Sequence, residues 1–199
     1  MAQKRMVGLG DSTTAGTPGF LSPVEAPPEG RGDRQSQYCY WMMKAHTDWS
    51  VLNRGVNGER TDEILSRFQR DVVAEKPAVV IVLGGVNDIY QGRSTESVKR
   101  NLEAMYALAE RGGIVPVVAT VLPYNVAGRR ERSAIREVNA WAATASRAPG
   151  RLFCDTNIVV RDKENLDLLA SSPDGLHPDV EGYRRMGEAL AATLERAGY

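Results

Sequence analysis

One segment of the sequence constrains the fold more than any other: the uninterrupted apolar run Val79-Val80-Ile81-Val82-Leu83. Its residues are mostly β-branched and show no alternation with polar residues. A strand of this kind is buried on both faces, which is the environment of a central strand in a parallel sheet. The run therefore predicts an α/β protein with such a sheet at its centre.

Shorter apolar segments alternate with amphipathic segments along the rest of the chain. We expect strands at 6–9, 50–53, 78–83, 115–121 and 151–155. Apolar residues at helical spacing predict helices at 61–74, 94–110, 132–145 and 180–197. Alternation of this kind implies βαβ units and a doubly wound parallel sheet.

Bulk properties predict an ordinary globular chain, with residues 1–199 in one domain. The 25 basic and 25 acidic residues are interleaved and cancel, which disfavours a nucleic-acid or anionic-membrane partner. No apolar stretch approaches the about 20 residues of a membrane span, and the N-terminal residues lack a signal-peptide pattern.

Cys39 and Cys154 have no metal-type spacing and are expected to be buried thiols rather than a disulfide. A cytoplasmic protein fits best, with a mature secreted form as the alternative.

Four polar motifs follow the predicted strands. They are Gly10-Asp11-Ser12-Thr13 after the first strand, Asn53-Arg54-Gly55-Val56-Asn57-Gly58 after the second, Gly84-Gly85-Val86-Asn87-Asp88 after the third, and Asp174-Gly175-Leu176-His177-Pro178 before the last helix. In open α/β sheets, ligands bind outside the carboxyl ends of the strands. The motifs are therefore expected to meet at one edge of the sheet.

Two of these motifs contain groups typical of nucleophilic catalysis. Gly175 permits a tight turn that would bring Asp174 onto His177, fixing the imidazole tautomer and freeing the other nitrogen as a base. The alternative is a chance pairing in a surface loop. Ser12 leaves a buried strand and enters a helical turn, whose outward N–H groups suit a developing oxyanion. Its alternative role is that of a helix N-cap.

The remaining polar residues of the motifs also have two interpretations. The Asn87 amide is either a second kind of oxyanion donor or a turn residue. Gly58 is a candidate for the same site or an ordinary tight-turn residue. Asp11 and Asp88 are expected to brace loops by accepting backbone N–H bonds. His46 is expected at a helix end near the core, with a structural role.

Taken together and in this order, the four motifs resemble the four sequence blocks of the SGNH (GDSL) hydrolase superfamily, which carry Ser, Gly, Asn and His. The motifs are therefore called the first to fourth blocks below. The resemblance implies a flavodoxin-like three-layer α/β/α sandwich around a parallel sheet of about five strands. It implies that Ser12 is the nucleophile, that His177 is the general base and that Asp174 orients His177. It also implies an oxyanion hole formed by the backbone N–H groups of Ser12 and Gly58 and the side-chain amide of Asn87.

The chain departs from the family pattern at two positions. The first block reads Gly-Asp-Ser-Thr where Gly-Asp-Ser-Leu is usual, so that Thr13 follows the serine. The third block carries Val86 between Gly85 and Asn87. In the second block, Gly58 is preferred to Gly55 because the helix-starting residues follow it directly.

The implied activity is hydrolysis of short-chain carboxylic esters of small molecules through an acyl-enzyme, without metal or organic cofactor. Alternatives within the family are a carbohydrate O-acetylesterase, a thioesterase and a lysophospholipase. Two alternatives lie outside the family. One is a metal-dependent phosphoesterase, whose metal site usually needs more than the two histidines of this chain. The other is a non-catalytic carbohydrate-binding or scaffolding module.

The long loop at 17–33 is expected either to roof the acyl pocket or to form an oligomer contact. The sequence does not predict the oligomeric state.

Overall fold

The computed structural model of the protein describes residues 3–199. Its strands are β1 (Lys4–Gly10), β2 (Phe20–Leu21), β3 (Arg31–Gly32), β4 (Trp49–Gly55), β5 (Val79–Leu83), β6 (Val115–Ala119) and β7 (Leu152–Cys154). Its α-helices are α1 (Ser12–Ala15), α2 (Tyr38–Ala45), α3 (Thr61–Ser66), α4 (Phe68–Asp71), α5 (Val86–Tyr90), α6 (Thr95–Arg111), α7 (Arg129–Ala145), α8 (Thr156–Val160) and α9 (Val180–Arg196).

The central sheet has the strand order β4-β1-β5-β6-β7 and is parallel throughout. The predicted central strand, β5, lies in the middle and is buried along its whole length. Numbered by their sequence within this sheet alone, the five strands lie in the order second, first, third, fourth, fifth. The direction in which successive strands are added to the sheet reverses between β1 and β5. Such a reversal opens a crevice at the carboxyl ends of the two strands, where doubly wound folds bind ligands.

Two apolar cores on opposite faces of the sheet make the fold a three-layer α/β/α sandwich. Val80 and Val82 of β5 point into one core, which side chains from α3, α4, α6 and α7 complete. Val79, Ile81 and Leu83 point into the other, which α2, α8 and α9 cover. Burial of each large apolar side chain contributes about 1.5–3 kcal/mol to the free energy of unfolding. The predicted fold class is confirmed.

The predicted helix at 61–74 is wrong as a continuous element. It is divided into α3 and α4, with a 3₁₀ turn at Val73–Glu75 behind them. The break falls at Arg67, whose buried guanidinium donates to the carbonyls of Gly10 and Arg54 at 2.9 and 2.8 Å. Tertiary hydrogen bonds at the sheet edge thus override the local helical periodicity.

Other boundaries differ by a few residues. The strand predicted to reach Val121 ends at Ala119 because the backbone N–H and C=O of Val121 pair with the side-chain amide of Asn139. Helix α7 begins at Arg129, three residues before its predicted start. The buried thiols Cys39 and Cys154 are free, as expected. Within residues 3–199, no helix combines the length and apolar character needed to cross a bilayer.

Candidate active site

The short helix α1 presents Ser12 at the carboxyl end of β1. The N-cap is Asp11, whose Oδ1 accepts the Thr13 N–H at 3.0 Å, so Ser12 is not the capping residue. The helix ends after one turn at Gly16, which has φ +110°. The Ser12 hydroxyl is therefore free of capping, and its Oγ lies 2.8 Å from Nε2 of His177.

Asp174 and His177 are joined within one turn of the loop before α9. Nδ1 of His177 lies 2.7 Å from Oδ2 of Asp174, while Oδ1 accepts the backbone N–H groups of Leu176 and His177 at 2.9 and 2.8 Å. Gly175 permits this turn with φ +77°. Asp174 therefore fixes both the backbone of the turn and the ring of His177.

The charge of Asp174 determines how the imidazole is used. Burial raises the pKa of Asp174, but the hydrogen bonds from the His177 ring and from the backbone of Leu176 and His177 outweigh it and bring the pKa below its ordinary value. A carboxylate opposite Nδ1 favours the tautomer with the proton on Nδ1. Nε2 is then the acceptor for the Ser12 hydroxyl.

The three candidate oxyanion donors lie around the same cleft as Ser12 and His177. Gly58 sits with φ +76° in the turn after β4, a conformation that favours glycine. The Asn87 amide is held by a 2.9 Å bond from Nδ2 to the carbonyl of Glu59 and keeps a second N–H. Among the residues described, the backbone N–H groups of Ser12 and Gly58 donate to no protein acceptor.

Gly55, the other glycine of the second block, lies elsewhere. It is the last residue of β4, is buried, and donates its N–H to Oδ1 of Asn53 at 3.0 Å. A Cβ on Gly55 would fall 2.0 Å from the backbone nitrogen of Ala15, so this glycine is needed for the close approach of α1 to β4. The geometry thus brings Gly58, and not Gly55, to the cleft.

The cleft has a volume of about 250 Å³ and one apolar wall. Val86, Tyr90, Tyr124 and Leu176 form that wall. Tyr90 is 64% exposed and contacts Tyr124 edge to face, with the ring centroids 6.2 Å apart. Neither tyrosine is among the site residues predicted from the sequence, although Tyr90 follows Asn87 by three residues in one helix and so shares its face.

The acidic residues of the first and third blocks brace loops, as predicted. Asp88 accepts the backbone N–H and the hydroxyl of Thr61 at 2.8 and 2.7 Å. Asp11 caps α1, but its Oδ2 is buried without a hydrogen-bond partner. Burial therefore raises the pKa of Asp11 to about 7.

His46 stands apart from the cleft. It follows the end of α2, stacks on Trp49 with the ring centroids 4.0 Å apart, and places Nε2 2.6 Å from Glu195. These contacts fit its expected structural role. In the described part of the chain, no three His, Cys, Asp or Glu side chains are grouped to hold a metal ion.

Comparison with known proteins identifies the family. The model of the GDSL-like lipase/acylhydrolase family matches residues 9–185, which span all four blocks. This chain belongs to the GDSL-like lipase/acylhydrolase family. The resemblance in the sequence is thereby confirmed, and the coarse class of the protein is that of an ester hydrolase family.

Proteins similar to this chain include two named esterases. An acetylxylan esterase from Geobacillus stearothermophilus is 22% identical over 152 residues, covering 70% of this chain and 69% of its own. Esterase TesA from Pseudomonas aeruginosa is 27% identical over 149 residues, covering 74% and 71%. A solved G-D-S-L family protein from Desulfitobacterium hafniense superposes with a TM-score of 0.79 at 27% identity, covering 96% of this chain and 99% of that one.

Proposed function

We propose that this GDSL family protein is a serine esterase that hydrolyses short-chain carboxylic esters through an acyl-enzyme. The observation that carries the proposal is the hydrogen-bonded chain from Ser12 Oγ to His177 Nε2 at 2.8 Å and from His177 Nδ1 to Asp174 at 2.7 Å. A nucleophile, a base and a group that orients the base are the elements of Ser-His-Asp catalysis.

Acylation begins as His177 Nε2 takes the proton of the Ser12 hydroxyl and Oγ attacks the ester carbonyl carbon. The carbonyl π electrons move onto oxygen, and the resulting oxyanion accepts hydrogen bonds from the N–H groups of Ser12 and Gly58 and from the Asn87 amide. The tetrahedral intermediate then collapses. The bond to the alcohol oxygen breaks, and His177 donates the proton to the leaving alcohol.

Deacylation repeats the sequence with water. His177 takes a proton from the water as its oxygen attacks the acyl carbon, and Ser12 Oγ departs and regains a proton from His177. Asp174 stabilises the imidazolium formed in each half-reaction without taking the proton itself. No step of this cycle calls for a metal ion or an organic cofactor.

The cleft supports a small acyl group. Its volume of about 250 Å³ and its wall of Val86, Tyr90, Tyr124 and Leu176 suit acetyl to hexanoyl chains better than a long lipid chain. A second candidate is carbohydrate O-acetylester hydrolysis. The exposed Tyr90 ring beside the nucleophile offers a face on which a sugar could stack, and one relative is named an acetylxylan esterase.

The experiment is hydrolysis of p-nitrophenyl esters from acetyl to octanoyl, alongside an acetylated xylo-oligosaccharide, by wild type and Ser12→Ala. Wild type should turn over the shorter esters, and Ser12→Ala should lose at least ~10⁴-fold in kcat. Ser66→Ala, which removes an exposed hydroxyl from α3, is the matched control and should leave kcat unchanged. Turnover by Ser12→Ala near the wild-type rate would contradict the assignment of Ser12 as the nucleophile. The preferred ester decides between the two substrate classes.

A further inference from the structure

The long loop between α1 and α2 is a packed element with fixed ends. It contains the antiparallel pair β2–β3, and Phe20 in β2 is buried. The hydroxyl of Tyr183, a buried side chain of α9, donates to the carbonyl of Thr17 at 2.6 Å. Within residues 3–199, no residue of the 17–33 loop lines the cleft, so the predicted roof over the acyl pocket is wrong.

The same loop instead forms hydrogen bonds with the segment that precedes Gly58. Oε1 of Glu25 accepts two bonds from Asn57, the backbone N–H at 2.9 Å and the side-chain Nδ2 at 2.7 Å. The hydroxyl of Thr17 donates to the side-chain carbonyl of Asn57. Asn57, the residue before Gly58, is thus held at three atoms by one loop.

A further contact fixes the start of that turn. Ser22, which is fully buried, donates its hydroxyl to the carbonyl of Gly55 at 2.6 Å. The backbone of Glu25 bonds in turn to the carbonyl of Ser22 at 3.0 Å. The loop therefore contacts the turn after β4 at Gly55 and at Asn57, immediately before Gly58.

Gly58 itself has little to hold it. A Cβ built on it would meet nothing within 4 Å, its φ is +76°, and within the described chain its N–H has no protein acceptor. The direction of that N–H therefore depends on the peptide between Asn57 and Gly58. Of the groups described here, Glu25 is the one whose carboxylate holds both the backbone and the side chain of Asn57.

We propose that Glu25 is a positioning residue for the oxyanion hole, acting through Asn57 to aim the Gly58 N–H at the developing oxyanion. This inference rests on the proposed esterase function. It gives the 17–33 loop a role in transition-state stabilisation rather than in substrate enclosure. A donor that is displaced, and not removed, costs less than the ~10²–10³-fold of a deleted donor.

The test compares Glu25→Ala, Glu25→Gln and Glu29→Ala on a short p-nitrophenyl ester. Glu25→Ala should lower kcat about 10- to 100-fold with KM changed by less than about threefold. Glu25→Gln keeps an acceptor oxygen for Asn57 and should stay within about fivefold of wild type. Glu29→Ala removes the same charge from an exposed position in the same loop and should match wild type.

A second readout separates positioning from a general loss of structure. Phenylboronic acid forms a tetrahedral adduct on a serine oxygen, and its inhibition constant should rise in Glu25→Ala by about the factor lost in kcat. Circular dichroism at the assay temperature should show Glu25→Ala folded.

Two results would overturn the inference: a kcat for Glu25→Ala within about twofold of wild type, or a loss confined to KM with boronate affinity unchanged. If Glu25→Ala does not fold, Glu25→Gln provides the test, and a kcat for this variant more than about fivefold below wild type would also contradict the inference. An inactive wild-type protein would instead refute the proposed function.

Discussion

Two aspartates near the same serine show how environment assigns different roles to one side-chain type. Asp174 accepts bonds from two backbone N–H groups and an imidazole, which together bring its pKa below the ordinary value despite burial. Asp11 accepts one, leaves its second oxygen unpartnered, and has its pKa raised by burial to about 7. One is therefore a stable anion at neutral pH, and the other is a structural cap that resists ionisation.

The burial of Asp11 predicts a measurable dependence of stability on pH. Its pKa in the folded protein, about 7, is above the ordinary 3.8. Its contribution to stability is then fully present below about pH 4 and is lost as the pH rises through 7, because ionisation is disfavoured only in the folded state. Asp11→Asn keeps the acceptor for Thr13 and cannot ionise. The variant should show a fall in unfolding free energy between pH 5 and pH 7.5 that is smaller than the wild-type fall by about 1–3 kcal/mol.

Urea unfolding at the two pH values measures this difference. Asp48→Asn, at an exposed aspartate, should leave the wild-type pH dependence unchanged. The same pH dependence in Asp11→Asn and wild type would show that Asp11 is ionised in the folded protein.

Asn87 provides a second test at the scale of one side chain. Asn87→Ala removes one proposed oxyanion donor and should lower kcat ~10²–10³-fold with little change in KM. Gln91→Ala, just beyond the end of the same helix and outside the cleft, should leave kcat unchanged. Steady-state kinetics on one short ester measure both. An unaltered kcat for Asn87→Ala would remove this amide from the hole.

At the scale of elements, the local sequence pattern predicts some helices and strands, whereas tertiary contacts determine the boundaries of others. The β-branched run of β5 and the capped, periodic helices α6 and α9 could be predicted because their burial follows directly from the sequence pattern. The division between α3 and α4 could not. Nothing local to residues 61–74 indicates that Arg67 will bond to carbonyls at the ends of β1 and β4.

Arg67 should therefore matter more to stability than its neighbour Arg70. The buried Arg67 pairs with Glu59 and Asp71 at 2.7 Å each, whereas the side chain of Arg70 is 68% exposed. Arg67→Met removes the guanidinium that pairs with Glu59, one of the two that pair with Asp71, and a donor to two carbonyls. It should cost about 3–5 kcal/mol of unfolding free energy. Arg70→Met, at the exposed site, should cost less than about 1 kcal/mol. Equal losses in urea unfolding would contradict this account of the break.

At the scale of the whole molecule, the candidate site is assembled from segments distant in sequence. The first, second and third blocks end β1, β4 and β5, and the fourth lies before α9. Because carboxyl ends of parallel strands share one edge of a sheet, the sequence alone predicts that Ser12, Asn87 and the Asp174–His177 turn meet there. The contacts of Glu25 and the place of Tyr124 in the wall depend on how loops pack over that edge, and no local signal specifies them. Tyr90 differs, because it shares a helix face with Asn87.

The central claim is that Ser12 is an activated nucleophile, and labelling with a fluorophosphonate tests it most directly. The reagent phosphonylates an activated serine oxygen with loss of fluoride, and mass spectrometry locates the adduct after tryptic digestion. The account predicts one adduct per chain, on the peptide of residues 6–31 and at Ser12, with none on Ser12→Ala and much slower labelling of His177→Ala. An adduct at another residue, or equal labelling of wild type and Ser12→Ala, would contradict it.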